Sequence, residues 1–390
     1  MIVRIIQIYV ILIFTLLYSC SDKDNTYETI SNKNGLIYLN KNIPANPDLN
    51  IKLNNLFEIY QYDSSIIIHD LNPKYFFGLT ADSNDNIFIS TYDNNNLIYK
   101  YDNAGEYINT FSRMGKGPGE SSGYDKLIII QDTLLAVTLR DYKINKFDLD
   151  GNYLNSTILD RFYYELNKLT ESSFIAFAWD EEIIGDNKYE IHMEIVLLNN
   201  YFKRTKTISE KKVSHEGILD ARSKYYPYIC NNSREIFISW LSENDYEILV
   251  YDIITGDYKY TIKNSSRVKY YSEIELDWMS QINNVDMRKL FGKLKKKVIN
   301  TIYCDNNENL WVLATKERNE NKSNILIADI YTDGVFQNTV SFNEIEYHDF
   351  SGAFSIFKIV FVNNRLYYHN YDDYDDEKGK VIKVFEYLIK

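Results

Sequence analysis

The chain is poor in the residues that usually advertise chemistry. Of 390 residues only three are cysteine, five histidine and five proline. Three cysteines exclude a disulfide-built scaffold. The histidines (His69, His192, His215, His348 and His369) follow no metal-ligand spacing. No Gly-x-Ser-x-Gly, His-Glu-x-x-His or Cys-x-x-Cys run occurs, which removes the nucleophile-elbow, zincin and dithiol motifs. Basic residues are outnumbered, 43 Lys and Arg against 55 Asp and Glu, for a formal net charge of -12. Such a surface has no field to collect phosphates, so nucleic acid is excluded as a partner. Beyond Leu17 no apolar run approaches the roughly 20 residues that a membrane-crossing helix needs.

The long apolar run lies at the start, where Arg4 precedes Ile5 to Leu17 and Tyr18-Ser19-Cys20 follows. A basic start, a short apolar stretch and a small residue before the cut describe a secretory signal over residues 1–19. The cysteine after the small residue resembles a bacterial lipobox, which makes Cys20 the lipidated first residue of the mature chain. A plain signal peptide cut nearby is the alternative. Lipidation tethers a chain to the membrane without spanning it. Residues 20–35 are polar and read as that tether. Their acidic start, Ser21 to Asn25 (SDKDN), resembles the surface-export signal of Bacteroidetes lipoproteins. The expected location is the outer membrane, on its periplasmic or its outer side.

What the chain has in abundance is strand-forming residues, with 35 Tyr and 20 Phe. Two families of turn recur among them. Asp82 to Asn86 (DSNDN) opens Ile87-Phe88-Ile89, and Asp305 to Asn309 (DNNEN) opens Leu310-Trp311-Val312. Asn231 to Glu235 has the same spacing, with looser copies at Asp132, Glu171 and Asn363. The second family is an aromatic-Asp hairpin: Tyr101-Asp102 with Gly105 and Tyr107, then Phe147-Asp148 with Gly151 and Tyr153. Tyr251-Asp252 with Gly256, and Asp329 with Gly334, repeat it more loosely. The glycine supplies the positive φ of a tight hairpin.

Repeated turn-strand-strand-turn-strand units predict an all-β, six-bladed β-propeller of four-stranded antiparallel blades over residues 36–390. The blades are expected near 76–113, 126–160, 168–208, 225–263, 299–342 and 354–389. Leu56-Phe57-Glu58-Ile59-Tyr60 is expected to pair with the last blade and close the ring. Two separate β-sandwiches are the alternative. Residues 272–298 carry apolar side chains at helical spacing (Leu276, Met279, Ile282, Met287, Leu290 and Leu294), which predicts a short helical insertion.

With these blades, the lipobox and the loop Gly115-x-Gly117-Pro118-Gly119-Glu120, the chain resembles the six-bladed β-propeller lipoproteins of Bacteroidetes. The resemblance covers most of the mature chain in architecture and its beginning in motif. It implies fold and location, with no reaction and no catalytic residues. The loop itself does not make a nucleotide site. A P-loop needs Gly-Lys-Ser/Thr opening a helix, whereas Lys116 is followed by Gly-Pro-Gly, and Pro118 removes an N–H.

In a propeller both turn families fall on the bottom face, while blade-to-blade links and second-to-third-strand loops fall on the top. The long connections are on the top: Ser112–Asp125, Trp179–Tyr189, Glu210–Tyr226, Asn343–Gly352 and Asn370–Lys380 among them. Long loops on a rigid scaffold are where binding is placed. The candidate binding residues are Arg113, Arg140, Trp179, Asp180, Arg222, Tyr226, Trp240 and His348, expected around the mouth of the axial channel. Aromatic and planar polar groups of this kind suit a sugar or a peptide.

Three other features are weighed against function. The Asp82 and Asp305 turns look like calcium loops but lack the sharp-turn Gly and distal Glu, so tight turns are favoured. The run Asp372 to Glu377 reads as a solvated acidic loop rather than an ion site. Cys230 and Cys304 stand just before bottom turns, where the first blade has Ala81, and are expected as two buried thiols. A disulfide between neighbouring blades is the alternative, less favoured because equivalent positions in adjacent blades tend to sit too far apart. No cofactor and no metal is expected. The leading expectation is an envelope propeller that binds a glycan, peptide or outer-membrane component without catalysis. The alternative is a glycan- or lactone-directed hydrolase or lyase at the axial channel, and a purely structural role is the third.

Overall fold

Many of the bottom turns are each organised by one side chain. In the computed structural model Asp82 Oδ1 accepts the N–H groups of Asn84 and Asn86 at 2.8 and 2.9 Å, and Asn86 Nδ2 donates to Oδ2. Asp305 repeats the pattern with Asn307 and Asn309, and adds the indole N–H of Trp311 at 2.9 Å. Asp102, Asp148, Asp252, Asn199 and Asn232 each accept two successive N–H groups in the same way. This is the Asx-turn: a short polar side chain replaces the missing ladder partner and bends the chain back on itself. The carboxylates that resemble calcium ligands in sequence are thus occupied by backbone N–H donors.

The structure describes residues 26–32, 35–60, 62–63, 66–67, 78–91, 97–139, 141–185, 188–216, 226–240, 242, 245–264, 273, 276, 280, 298–314, 325–346, 357–375 and 377–390. Six antiparallel blades follow in chain order. Blade one is Leu79–Ala81, Ile87–Ser90, Ile98–Tyr101 and Tyr107–Phe111; blade two is Lys126–Ile130, Thr133–Thr138, Lys143–Asp148 and Tyr153–Ile158. Blade three is Glu165–Thr170, Ser173–Gly185, Lys188–Asn199 and Arg204–Glu216. Blade four is Pro227–Asn231, Glu235–Trp240, Glu247–Asp252 and Tyr258–Asn264, and blade five is Ile299–Cys304, Leu310–Ala314, Ile325–Thr332 and Val335–Glu346. Blade six has Phe357–Val362, Arg365–Asp375 and Gly379–Ile389, and Ile51–Tyr60 completes it as its outermost strand. The expected closing strand is therefore the one found, with Ile382 opposite Ile59 and Val384 opposite Phe57.

The segment before it departs from the expected tether. Tyr27–Asn32 and Gly35–Asn40 form a hairpin, and the second strand pairs in parallel with the outer strand of blade four, Leu36 opposite Tyr260. Blade four thereby becomes a six-stranded sheet. Polar residues are compatible with strands here because the hairpin lies on the outside, where one face meets solvent. The chain then crosses blade five, with Ala45 N–H on Phe336 O and Asn338 Nδ2 on Leu49 O, before entering blade six.

The core sits between blades rather than at one centre. Trp311, Leu366 and Tyr387 pack between blades five and six; Phe177, Ile195 and Ile238 between three and four; Phe88, Leu134 and Phe147 between one and two. The middle strands are buried on both faces and feed these layers: Ile87–Ser90 and Ile98–Tyr101 are buried throughout. The predicted helical insertion lies mostly outside the described residues. Glu273, Leu276 and Ser280 are helical, and Ser280 Oγ donates to Leu276 O.

Candidate functional site

The innermost strands surround an axial cavity of about 540 Å³. Its wall has two characters. Blades two to four supply Asp125, Lys126, Tyr164, Glu165, Asn167 and Tyr228; blades five, six and one supply Thr301, Tyr303, Ile359, Val360, Phe361 and Leu79. On the polar side Lys126 Nζ donates to Asn167 Oδ1, and Asn167 Nδ2 donates to Glu165 Oε1 at 2.9 Å. Burial holds the Lys126 ammonium below its ordinary range, with the charge of Glu165 opposing the shift. On the other side, burial pushes the Tyr303 phenol up to about 12. Asp125 Oδ2 accepts the N–H of Leu139 at 2.7 Å. The described lining contains no histidine and no arginine.

An aromatic cluster that reaches the cavity through Tyr164 bridges blades three and four, as part of the core layer between them. Trp179 continues the second strand of blade three, Trp240 ends the second strand of blade four, and Tyr226 immediately precedes its first. Phe177 touches all three, with ring centroids 6.2 Å from Trp179, 5.1 Å from Tyr226 and 6.3 Å from Trp240. Tyr164, in the link between blades two and three, lies 4.3 Å from Trp179, and Phe162 stands 4.4 Å beyond it. The half-exposed Tyr142 ends the run, 5.8 Å from Phe162. Trp240 Nε1 donates to Ser209 Oγ at 3.1 Å, and Lys211 Nζ sits 5.8 Å over the Trp240 ring. Tyr226 OH donates to Tyr164 O, and burial followed by the nearby Glu165 charge raises its pKa well above ordinary.

Three of the expected residues, Trp179, Tyr226 and Trp240, are thus brought together. Trp179 is only 7% exposed, so it braces the cluster more than it meets solvent. Asp180 turns to the opposite face of its strand and pairs with Arg161 at 3.0 Å; Arg161 also holds the buried Glu194. Arg113 is committed to Glu120 at 2.6 Å and lies apart from the cluster. Arg140, Arg222, His348 and Cys20 lie outside the described residues. Two expected top loops prove to be largely strand: residues 179–185 and 188–189 of Trp179–Tyr189, and the start of Glu210–Tyr226, to Glu216, continue the sheet of blade three above the ring. Cross-strand pairs such as Ile183–Tyr189 and Ile191–Val213 extend the ladder there. Asn343–Gly352 and Asn370–Lys380 likewise begin as strand, to Glu346 and Asp375.

Sequence reasoning missed Glu165 and Asn167 because it began blade three at residue 168, and it placed Lys126 at the start of blade two without seeing that it faces the axis. The run Glu165-Leu166-Asn167-Lys168-Leu169, with its two leucines buried among polar residues, was the available signal for the earlier start. The expectation of two thiols is also corrected. Cys230 and Cys304 form a disulfide with Cα atoms 5.7 Å apart, inside the normal range. Blades splay outward like spokes, so their innermost strands are where neighbours come closest, and both cysteines are on innermost strands.

The Gly115–Glu120 loop lies on the same face and is filled by its own side chain. Gly117 N–H donates to Glu120 Oε2 at 2.7 Å, and Arg113 Nε donates to Oε1. Those bonds, the Gly117 N–H first, hold the Glu120 carboxyl below its ordinary value. A Cβ on Gly115 would stand 2.2 Å from Glu120 Oε2, and its φ of +157° is uncommon for an L side chain. Beneath the loop Tyr124 OH, Ser112 and Asn145 share a buried network, and Lys143 Nζ donates to Glu120 O at 2.7 Å.

Among the described residues no group of three or more His, Cys, Asp or Glu is placed to hold a metal ion, and no helix is long and apolar enough to cross a membrane. No family model and no curated protein matches the chain. Solved structures do. A Bacteroides fragilis protein whose name records an expected export aligns over 91% of this chain and 99% of its own, at 16% identity and a TM-score of 0.49. A member of the DUF4221 family from Bacteroides vulgatus aligns over 87% of this chain and 99% of its own, at 11% identity and a TM-score of 0.50. A Bacteroides thetaiotaomicron protein of unknown function aligns over 87% of this chain and 76% of its own, at 10% identity and a TM-score of 0.47. Likeness at such identity carries fold alone: the chain is a six-bladed β-propeller with structural neighbours in Bacteroides.

Proposed function

We propose that the chain is an exported, lipid-anchored binding propeller that holds its ligand at the top face without catalysing a reaction. The ligand site is the mouth of the axial cavity on the side of blades two to four. The observation that carries this is the gathering of Tyr164, Trp179, Tyr226 and Trp240 around Phe177, with Tyr164 lining the cavity. Large, stiff aromatic side chains bind at low entropic cost, and a cavity with a few converging polar groups is the usual form of a ligand site.

Export is supported independently by the Cys230–Cys304 disulfide, which persists in an oxidising compartment. It is supported also by the signal-like start and by the expected export named for the Bacteroides fragilis neighbour. Cys20 is the proposed lipid attachment, with the outer membrane as its destination. The test of anchoring is metabolic labelling with a fatty acid: wild type takes label, and Cys20→Ala does not and leaves the membrane fraction.

The test of binding is a screen of the purified mature chain against glycan and peptide arrays, followed by Trp240→Ala and Tyr164→Ala. Each substitution is expected to weaken the best array ligand at least tenfold, roughly 1.4 kcal/mol, measured at a temperature where circular dichroism shows the variant folded, since both rings also pack against the core between blades three and four. Binding that survives both substitutions unchanged would place the ligand elsewhere.

A further inference from the structure

The aromatic cluster lacks the form of a stacking platform. Neighbouring rings meet tilted or edge to face, at 52° for Tyr164–Trp179, 82° for Phe162–Tyr164, 66° for Tyr142–Phe162 and 76° for Phe177–Tyr226. Sugar rings stack on aromatic faces that lie side by side in one plane, and these rings present corners instead. Selectivity therefore falls to the cavity below.

That cavity holds an ammonium and a carboxylate that do not touch. The side-chain amide of Asn167 stands between them, its carbonyl taking a proton from Lys126 and its NH2 giving one to Glu165. Lys126 has three N–H donors, of which Asn167 takes one; the Glu165 carboxylate has two oxygens, of which Asn167 serves one. Both side chains are half-buried, and each keeps hydrogen-bonding capacity that faces the cavity, where a complementary ligand can take it up in place of water. A simple anion meets Lys126 but also Glu165 and Asp125, and a simple cation meets the reverse conflict. A zwitterion satisfies both without changing the net charge of the site. Opposite this polar side stand Leu79, Ile359, Val360 and Phe361, an apolar wall for the rest of the molecule. The volume of about 540 Å³ is that of a small-ligand pocket.

We propose that the axial cavity recognises a small zwitterion of the α-amino-acid type with an apolar side chain. Lys126 receives its carboxylate, Glu165 its ammonium, and the Leu79–Ile359–Phe361 wall its side chain. This rests on top-face binding as proposed above and names the ligand class.

The experiment is isothermal titration of the purified mature chain with L-phenylalanine, with N-acetyl-L-phenylalanine, which lacks the ammonium, and with phenethylamine, which lacks the carboxylate. Phenylalanine is expected to bind, and each analogue at least about tenfold more weakly, because each leaves one half-buried charge of the site unmatched. In Lys126→Met the penalty for losing the carboxylate is expected to vanish, and in Glu165→Gln the penalty for losing the ammonium. Equal binding of all three ligands to the wild type overturns the proposal, as does binding of none. If none binds while an array ligand binds through Trp240, the zwitterion falls and top-face binding stands; if nothing binds at all, both fall. The three-ligand series on the unaltered chain decides the matter even where a variant fails to fold.

Discussion

The bottom of the propeller is stitched at every junction, whereas the top is built from strands of unequal height. At the bottom Lys100 reaches Leu149 O from blade one to two, and Lys168 reaches Ile129 O from three back to two. Lys206 reaches Thr255 O from three to four, and Arg234 reaches Glu308 and Asp333 from four to five. Asn338 ties blade five to the crossing segment at Leu49 O, and Asn363 with Arg365 ties blade six to blade one at Asp82 O and Asn103 O. On the top, the outer three strands of blade three run 13, 12 and 13 residues against 4, 4 and 5 in blade one. The hairpin they raise carries Ile183 near its end, 73% exposed. The bottom repeats because every turn must satisfy the same backbone N–H groups beside the same neighbour. Nothing imposes that on the top, where differences between blades accumulate and where the aromatic cluster lies.

Substitutions at the two faces should therefore separate stability from recognition. The largest effect is expected near the axis, where Cys230→Ser with Cys304→Ser releases a 74-residue span. Loss of that closure costs about 4 kcal/mol in the chain-entropy description, readable in urea unfolding of oxidised chain against variant. Next comes Asp305→Ala, which strips the acceptor from two backbone N–H groups, an amide and the Trp311 indole. About 3 kcal/mol is expected, in the same unfolding measurement; a loss under about 0.5 kcal/mol would mean that the turn is held by its neighbours instead.

Gly105→Ala is expected to cost about 2 kcal/mol. Its φ is +86°, and a Cβ there would stand 2.4 Å from the Phe57 ring of the closing strand. Gly151 repeats the contact on Phe111, so the hairpin glycine is needed for neighbour approach as well as for turning. Top-face Arg113→Ala should cost less than about 0.5 kcal/mol, since its partner bond is made by a side chain 73% exposed.

The acid limb gives the finest comparison. Glu120 has its folded pKa depressed, by the Gly117 N–H and then by Arg113. Its contribution is full above the ordinary value of 4.5 and is lost as pH falls through the lower folded value. Glu120→Gln should flatten that part of the stability-against-pH curve, while leaving it unchanged near neutrality in slope. A variant curve as steep as wild type below pH about 4.5 would assign the limb to other carboxylates.

What the sequence made legible follows the same division. Asp82, Asp305, Asp102 and Asp148 announced their turns because an Asx-turn is local: its donors lie two to four residues away. Leu56 to Tyr60 announced a strand, and the need for a ring to close named its partner. The hairpin of Tyr27–Asn32 and Gly35–Asn40 was hidden because its support is Tyr260 to Asn264, more than two hundred positions on. The height of blade three was hidden too, since Glu181, Glu182 and Glu190 interrupt the apolar alternation that marks a strand. Of the candidate site, the tryptophans were visible by their matched blade positions. Lys126, Asn167 and Glu165 were not, because the edge that an inner strand shows to the axis depends on blade tilt and leaves no period in the chain.

The closing strand also sets a timetable. Ile51–Tyr60 leaves the ribosome among the first ordered segments, yet its partner Gly379–Ile389 is among the last. Blades one to five can assemble in order as they emerge, each from strands close in sequence. Blade six cannot, and until the final ten or so residues arrive Ile51–Tyr60 waits with an open hydrogen-bonding edge. The ring is sealed only by a full-length chain, so a message cut short anywhere before blade six yields a product with an unsealed seam, conspicuous to proteases.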